Sequence, residues 1–248
     1  MLSQGTGIKA VWLNKKIDKA YALIKEWLNV CNGFVYASIS GGKDSLVMAH
    51  LIRHCYPDCP FVWVNQGYLA EWVDCIELLT LLKTKGWNII EICPVRDLWH
   101  LYQDVGIPLS GKMTTVQDKI INRKLIYDPL DEYQENNNIQ GYAWGIRFQE
   151  SRNRSLFLKK HGLIHQRKDN NLWVCSPIGF WKINDIWDYI DYQELPYPSM
   201  YDRDRLTVRN GPAIGTTGVN WGRLSELKRF YPEYWSELIQ RFPELRNF

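Results

Sequence analysis

The most constraining stretch of this sequence is an apolar run that stops on two glycines. Phe34-Val35-Tyr36-Ala37-Ser38-Ile39 is short, rich in β-forming residues and flanked by Gly33 and by Gly41-Gly42, the pattern of a buried strand. From Asp44 to Cys55, Leu46, Val47, Ala49, His50, Leu51 and Ile52 follow a helical period. Ser40-Gly41-Gly42-Lys43-Asp44-Ser45 must therefore turn the chain from strand to helix within a few residues. Glycines permit the turn and the close approach of a guest, and a helix amino terminus offers unpaired N–H groups with a partial positive charge. Phosphate is the natural guest. The Ser40 and Ser45 hydroxyls can donate to its oxygens, and Lys43 adds a full charge suited to binding pyrophosphate and stabilising it as it leaves. Asp44 would hold Mg²⁺ or cap the helix. The spacing matches neither G-x-x-x-x-G-K-[ST] nor G-x-G-x-x-G, which argues against a Walker ATPase. The bland alternative is a plain serine-capped turn.

The rest of the chain continues the alternation. A helix over 14–32, with Asn14 as its cap, precedes the first strand and buries Ile17, Ala20, Tyr21, Ile24, Trp27 and Leu28. Strands follow at Phe61–Val64, Asn88–Cys93, Gly141–Ile146 and Trp173–Cys175, with helices at Ala70–Lys83, Asp97–Asp104, Phe148–Lys160 and Asn184–Tyr192. Such an order predicts an α/β fold with a mostly parallel, five-stranded sheet flanked by helices. The 248 residues divide into an α/β domain over 1–202 and an extension over 203–248. That extension has a Gly- and Arg-rich loop and a helical end.

Composition removes several classes. A net charge of +3 from 30 basic and 27 acidic residues does not announce a polyanion partner. The pair Lys159-Lys160 reads as a solvated helix end rather than a nucleic-acid patch. Aromatic residues, 14% of the chain, read mainly as packing, with base stacking as a minority use. The six cysteines form no C-x-x-C, so reduced core thiols are expected, and no zinc. Cys55 and Cys59 alone are a weak zinc signal. The five histidines show no ligand spacing. A start without a leader pattern and the lack of a long apolar window predict a cytoplasmic protein with no membrane contact.

Further segments carry a resemblance. S-G-G-K-D-S after the first strand resembles the PP-loop of the N-type ATP pyrophosphatases, whose fold is Rossmann-like and adenine-nucleotide-hydrolase-like (HUP). Gly145-Ile146-Arg147-Phe148-Gln149-Glu150-Ser151 with Arg154 is similar to the G-[IL]-R-x-x-x-S-x-x-R element of the phosphoadenosine phosphosulfate (PAPS) reductase branch. Ser176-Pro177-Ile178 to Trp181, Asp185-Ile186-Trp187, Leu195-Pro196-Tyr197 and Met200-Tyr201-Asp202 resemble the same branch's later series. Together they span roughly residues 34 to 202.

The resemblance implies a nucleotide site formed by Ser40, Gly41, Gly42, Lys43, Asp44, Ser45, Gly145, Arg147 and Arg154. Asn65 and Gly67 stand at the place of the family's [DN]-T-G, with Gln66 departing from its threonine. Lys43, Asp44 and Arg147 are the expected catalytic groups, and Asp44 the expected Mg²⁺ ligand. The residues themselves agree: Arg147 follows a strand end, and Arg154, two helical turns on, would share its face. The competing reading is a solvated arginine pair with Glu150 in a local salt bridge. The nucleotide would be ATP, PAPS or adenylylsulfate.

One departure bears on mechanism. Reductases of this branch use a cysteine in a C-terminal E-C-G-x-H motif, and this chain has no cysteine after Cys175. A thioredoxin-dependent reductase and an iron–sulfur cluster therefore lack their expected residues. Arg203, Arg205, Arg209, Gly211, Gly215, Thr216, Thr217, Gly218 and Arg223 instead suggest either an anion-covering lid or a bland surface loop. The expectation is a PP-loop enzyme that adenylates a substrate with pyrophosphate release or transfers sulfur. A sulfur-donor protein would then be a partner, a nucleic acid a candidate acceptor, and a second copy of the chain a candidate neighbour. Nucleotidyl transfer of the flavin-nucleotide-synthetase type and a non-catalytic nucleotide-binding subunit remain alternatives.

Overall fold

The computed structural model describes residues 4–67, 70, 72–106, 116–206 and 225–247. It begins with α1 (Gln4–Val30), which starts well before Asn14. Asn14 is therefore an exposed mid-helix residue and not a cap, which corrects the expected 14–32 boundary. Leu13 and Ile17 are both buried, so the apolar stripe reaches a turn further upstream than the residues counted for it. At its other end α1 stops at Asn32-Gly33, both at positive φ.

The core of the fold is a six-stranded sheet in the order β3-β2-β1-β4-β6-β5. Its strands are β1 (Val35–Ser38), β2 (Phe61–Val64), β3 (Ile89–Ile92), β4 (Gly141–Ala143), β5 (Ile164–Gln166) and β6 (Trp173–Cys175). β1 pairs in parallel with β2 and β4, β4 pairs in parallel with β6, and β5 lies antiparallel to β6. The expected parallel α/β sheet is present with one strand more than the five foreseen. β5 escaped notice because Ile164-His165-Gln166 is an edge strand, half-buried and partly polar, and so lacks a clean apolar run.

Helix α2 (Lys43–Cys55) follows β1, and α1 packs on it and on α8 (Ile183–Tyr192). Ile24, Trp27, Leu46, Met48, Leu51 and Ile52 are fully enclosed. Burial of each side chain this size contributes about 2 kcal/mol. The helix expected over Phe148–Lys160 is broken at Ser151: a 3₁₀ turn, Phe148–Glu150, precedes α7 (Arg152–His161), whose N-cap is Ser151. The Ser151 hydroxyl accepts from the Arg154 N–H, the usual way a serine starts a helix.

The chain divides into two compact units. One comprises Met1–Trp63, Asp74–Glu91 and Tyr133–Arg209; the other comprises Val64–Val73, Ile92–Glu132 and Asn210–Phe248. The second contains α4 (Leu98–Val105) and α5 (Val116–Asn122). A π-helical turn at Arg123–Tyr127 then leads into α6 (Asp128–Asn136), and the unit also holds a terminal helix that we label α9 (Pro232–Arg241). Its interior is aromatic: Trp99 packs on Tyr102 and Phe242, and Trp72 on Tyr231. No helix among the described residues is long and apolar enough to cross a membrane.

Candidate functional site

Gly41 makes the turn after β1 at φ +71°, a conformation that L side chains rarely adopt. A methyl group there would also lie 2.8 Å from both Cβ and the carbonyl oxygen of Cys75, so the position is closed on two counts. Ser45 ties the loop together. Its hydroxyl donates to the Gly42 carbonyl at 2.9 Å and accepts from the Ser40 N–H at 3.2 Å. Gly42 is the N-cap of α2 and gives the first-turn N–H groups no side-chain acceptor. Apart from the Lys43 N–H, which Tyr201 takes up, a glycine cap thus leaves that end of the helix open to an external anion.

The charged groups of the loop are buried. Lys43 and Arg147 expose only 5% and 4% of their side chains, and Asp44 exposes 17%. Arg147 Nε donates to Asp44 Oδ1 at 2.6 Å, and Lys43 Nζ lies 3.2 Å from Asp44 Oδ2. Both carboxylate oxygens are therefore engaged by cations. Arg147 is held from its other side as well, its backbone N–H donating to Glu150 Oε2 at 2.6 Å. Arg147 Nη1 is buried with no hydrogen-bond partner. Such an unmet guanidinium N–H costs free energy unless an acceptor arrives.

Gly145 is needed for this meeting. A methyl there would sit 2.9 Å from the Ser45 nitrogen and 3.0 Å from the Asp44 carbonyl carbon, so only glycine lets the chain leaving β4 lie against the start of α2. Arg154 is placed differently. The break at Ser151 removes the shared helical face that would have aligned it with Arg147, and its Nη1 pairs instead with Glu150 at the surface. The structure thus brings Ser40, Gly41, Gly42, Lys43, Asp44, Ser45, Gly145 and Arg147 together. Asn65 and Gly67 belong to the second unit. There the Asn65 side chain accepts from the Gly67 N–H at 3.0 Å.

Sequence reasoning did not pick out Tyr201 as a site residue. This buried tyrosine accepts a hydrogen bond from the Lys43 N–H at 3.3 Å, and Lys43 Nζ lies 4.9 Å from its ring centre. Its signal lay in the Met200-Tyr201-Asp202 segment, which carried the resemblance without a role attached. Ser176 and Asp74 were also missed. Ser176, fully buried after β6, accepts from Trp144 Nε1 at 2.7 Å, and buried Asp74 accepts from the Ser199 hydroxyl.

Among the described residues no group of three or more His, Cys, Asp or Glu side chains is placed to hold a metal. Burial pushes the Cys31 and Cys59 thiols up to about 12 and Cys175 well above its ordinary value. Cys93 is the exposed one of the six. Of the residues suggested as a lid, those at 209–223 lie outside the described residues, while Arg203 and Arg205 are described and Arg205 pairs with Asp191 at 2.8 Å.

Comparison with known proteins adds to this geometry. The family described as Phosphoadenosine phosphosulfate reductase domain matches residues 35–218. An uncharacterized protein of Methanocaldococcus jannaschii is 26% identical over 93% of this chain, which spans only 54% of that relative. The phosphoadenosine 5′-phosphosulfate reductase of a Synechococcus strain is 28% identical over 77% of this chain and 79% of its own length. In fold, the chain resembles a Candida auris phosphoadenylyl-sulfate reductase in a phosphate complex, with a TM-score of 0.58, 14% identity and 82% and 93% of the two chains covered. It also resembles Candida glabrata FMN adenylyltransferase in complex with ATP, with a TM-score of 0.53, 18% identity and 77% and 58% covered.

Proposed function

The chain belongs to the phosphoadenosine phosphosulfate reductase domain family, and from that premise we propose that it is an enzyme binding ATP or a sulfonucleotide on the Ser40–Ser45 loop. The observation that carries this reading is the buried Arg147 guanidinium, whose Nη1 has no acceptor beside a helix start capped by glycine. Lys43 and Arg147 face a single carboxylate, Asp44, and so keep an uncompensated positive charge for a phosphate or sulfate group.

With ATP, an acceptor oxygen would attack the α-phosphorus while the bond to the bridging oxygen breaks and pyrophosphate departs with its electron pair. Lys43 and the α2 amino terminus would take up the charge on the leaving pyrophosphate, and Arg147 the charge on the reacting group. Asp44 by itself is too few ligands for a resident metal. Mg²⁺ held by the nucleotide phosphates would have Asp44 as its carboxylate on this chain and would neutralise part of the phosphate charge. In the sulfur-transfer branch, a donor protein would bring the sulfur, because the deeply buried Cys31, Cys59 and Cys175 are held protonated.

A calorimetric panel of ATP, AMP, adenylylsulfate and PAPS with and without Mg²⁺, coupled to a pyrophosphate assay, tests the reading. Mg²⁺-dependent ATP binding with pyrophosphate release supports adenylation. Preference for PAPS or adenylylsulfate supports sulfonucleotide chemistry, and no binding across the panel overturns the nucleotide site. Tight binding without turnover, merely weakened by Lys43→Ala with Asp44→Ala, would leave the non-catalytic subunit.

A further inference from the structure

We propose that Glu150 is the residue that positions Arg147 for its ligand, with Arg154 as the counter-ion of Glu150; the consequence for nucleotide binding rests on the reading of the Ser40–Ser45 site given above. Arg147 and Glu150 exchange two hydrogen bonds. The Arg147 N–H donates to Glu150 Oε2 at 2.6 Å, and the Glu150 N–H donates to the Arg147 carbonyl at 3.2 Å. Arg147 is extended, at φ −132° and ψ 149°, so no helical carbonyl serves its N–H and the carboxylate takes that place. A charged acceptor makes the stronger bond. The two residues between them add further ties. The Phe148 N–H donates to the Gly179 carbonyl at 2.8 Å, and Gln149 Oε1 accepts from the N–H of Ile183, the first residue of α8, at 2.8 Å. Phe148, Gln149 and Glu150 thus each give one polar group to hold the turn that follows Arg147. Starting α7 requires none of these, since Ser151 caps that helix. What the ties fix is the root of a side chain that reaches Asp44 at 2.6 Å and keeps Nη1 buried without a partner. An acceptor is gripped by Nη1 only while that root stays in place, because a misplacement of about 1 Å can cost a hundredfold.

Arg154 completes the device. Its Nη1 pairs with Glu150 Oε1 while Oε2 takes the Arg147 N–H, so each carboxylate oxygen has a donor of its own. The Glu150 side chain is only 16% exposed. Were Arg154 to leave it for a nucleotide, a largely buried negative charge would be stranded next to Arg147, where desolvation and repulsion of the incoming phosphate both oppose it. An ion pair four residues apart on a helix surface would by itself be worth little. The bond from Glu150 to the Arg147 main chain is what that plainer explanation leaves out.

The test uses the full chain and has two arms. In the first, nitrogen-15 NMR follows hydrogen exchange at Arg147 Nε, assigned by its loss in Arg147→Lys, and needs no nucleotide. Glu150→Ala should speed this exchange about tenfold or more, the equivalent of one charge-assisted hydrogen bond, and Glu150→Gln, which keeps an oxygen for the Arg147 N–H, should restore most of the protection. In the second, calorimetry with ATP and with PAPS should show Glu150→Ala weakening the bound nucleotide about tenfold or more, with Glu150→Gln recovering most of the loss. Arg154→Gln should cost about fivefold in the unmodified chain and under about twofold in Glu150→Gln, whose charge no longer needs a counter-ion. Should Glu150→Ala not fold, this last comparison still decides. Full affinity or an undiminished Nε protection in Glu150→Ala, whatever its melting temperature, would overturn the positioning role. Equal losses from Arg154→Gln in both backgrounds would make Arg154 a ligand of the nucleotide and overturn its role as counter-ion. Failure of the unmodified chain to bind either nucleotide, with the NMR arm as expected, would overturn the nucleotide reading and leave Glu150 holding Arg147.

Discussion

Arg147, just beyond β4, and Asp44, in the first turn of α2, are 103 residues apart in sequence and meet in a 2.6 Å hydrogen bond that ties two strand ends into one buried charged site. Breaking such a pair strands the remaining charge. Arg147→Met should destabilise the fold by about 3 kcal/mol and abolish anion binding, because Asp44 is left with Lys43 alone. Asp44→Asn should cost less, as the amide still accepts from Nε. A double-mutant cycle in urea should then give a coupling energy of about 1 kcal/mol or more, and strict additivity would show that the two residues do not act as a unit.

The glycines beside that pair are the second testable feature. Gly145→Ala would force a methyl to within 2.9 Å of the Ser45 nitrogen and 3.0 Å of the Asp44 carbonyl, atoms of a helix backbone that cannot swing aside. Gly41→Ala meets the Cys75 backbone and an unfavourable φ together. Each should destabilise by about 2 kcal/mol or more, and Gly145→Ala should weaken nucleotide binding beyond what its lowered stability explains. Denaturation and calorimetry on the same samples separate the two effects.

How much of this was legible in advance follows from the range of each interaction. The loop itself was readable, because an apolar run, two glycines and a helical period are local features of residues 34–55. The mostly parallel sheet and the Arg147 element were readable from alternation and motif together, whereas the order of the strands in the sheet was not. The Ser151 break was not visible, because a 3₁₀ turn and the helix after it share nearly the same polar pattern, and it moved Arg154 to Glu150. Tyr201 was invisible as a site residue for a different reason. Its contact with Lys43 spans 158 residues, and no periodicity reports a pairing at that separation.

Tyr201 can be tested by graded substitution. Tyr201→Phe keeps the ring under Lys43 Nζ and removes the hydroxyl that accepts from the Lys43 N–H, a loss of about 1 kcal/mol. Tyr201→Leu also removes the ring and leaves space in a site that is 1% exposed, a loss of about 3 kcal/mol. With the lysine less well held, turnover should fall more than nucleotide affinity. An unchanged rate in both variants would make Tyr201 a packing residue only.

The thiols should separate by exposure. Burial raises Cys31 and Cys59 to about 12, so iodoacetamide at neutral pH should label Cys93 first in the native protein. Cys31, Cys59, Cys75 and Cys175 are buried and should react only after unfolding, as mass spectrometry of alkylated peptides would show. A Cys93→Ser variant with full activity would remove the one exposed thiol from any sulfur chemistry.

The last prediction concerns pH. Burial lowers the pKa of His50, with the neighbouring Arg53 and His54 charges adding to the effect, while its Nδ1 sits 2.8 Å from the Tyr189 hydroxyl. Burial likewise lowers His165, helped by His161. A histidine whose pKa is lower folded than unfolded binds its proton more readily in the unfolded chain, which ordinarily titrates near 6.5. Stability is therefore fully present above about pH 6.5 and declines as the pH falls below it, since protonation then favours unfolding. The ceiling for each histidine is one proton, about 1.4 kcal/mol per pH unit, and the partial exposure of both rings keeps the slope below it. Urea unfolding between pH 8 and pH 5, where carboxylates stay ionised, should show this decline. His50→Gln should flatten it while retaining a hydrogen bond to Tyr189, and a slope unchanged in His50→Gln and His165→Gln alike would show that neither ring is kept neutral by the fold.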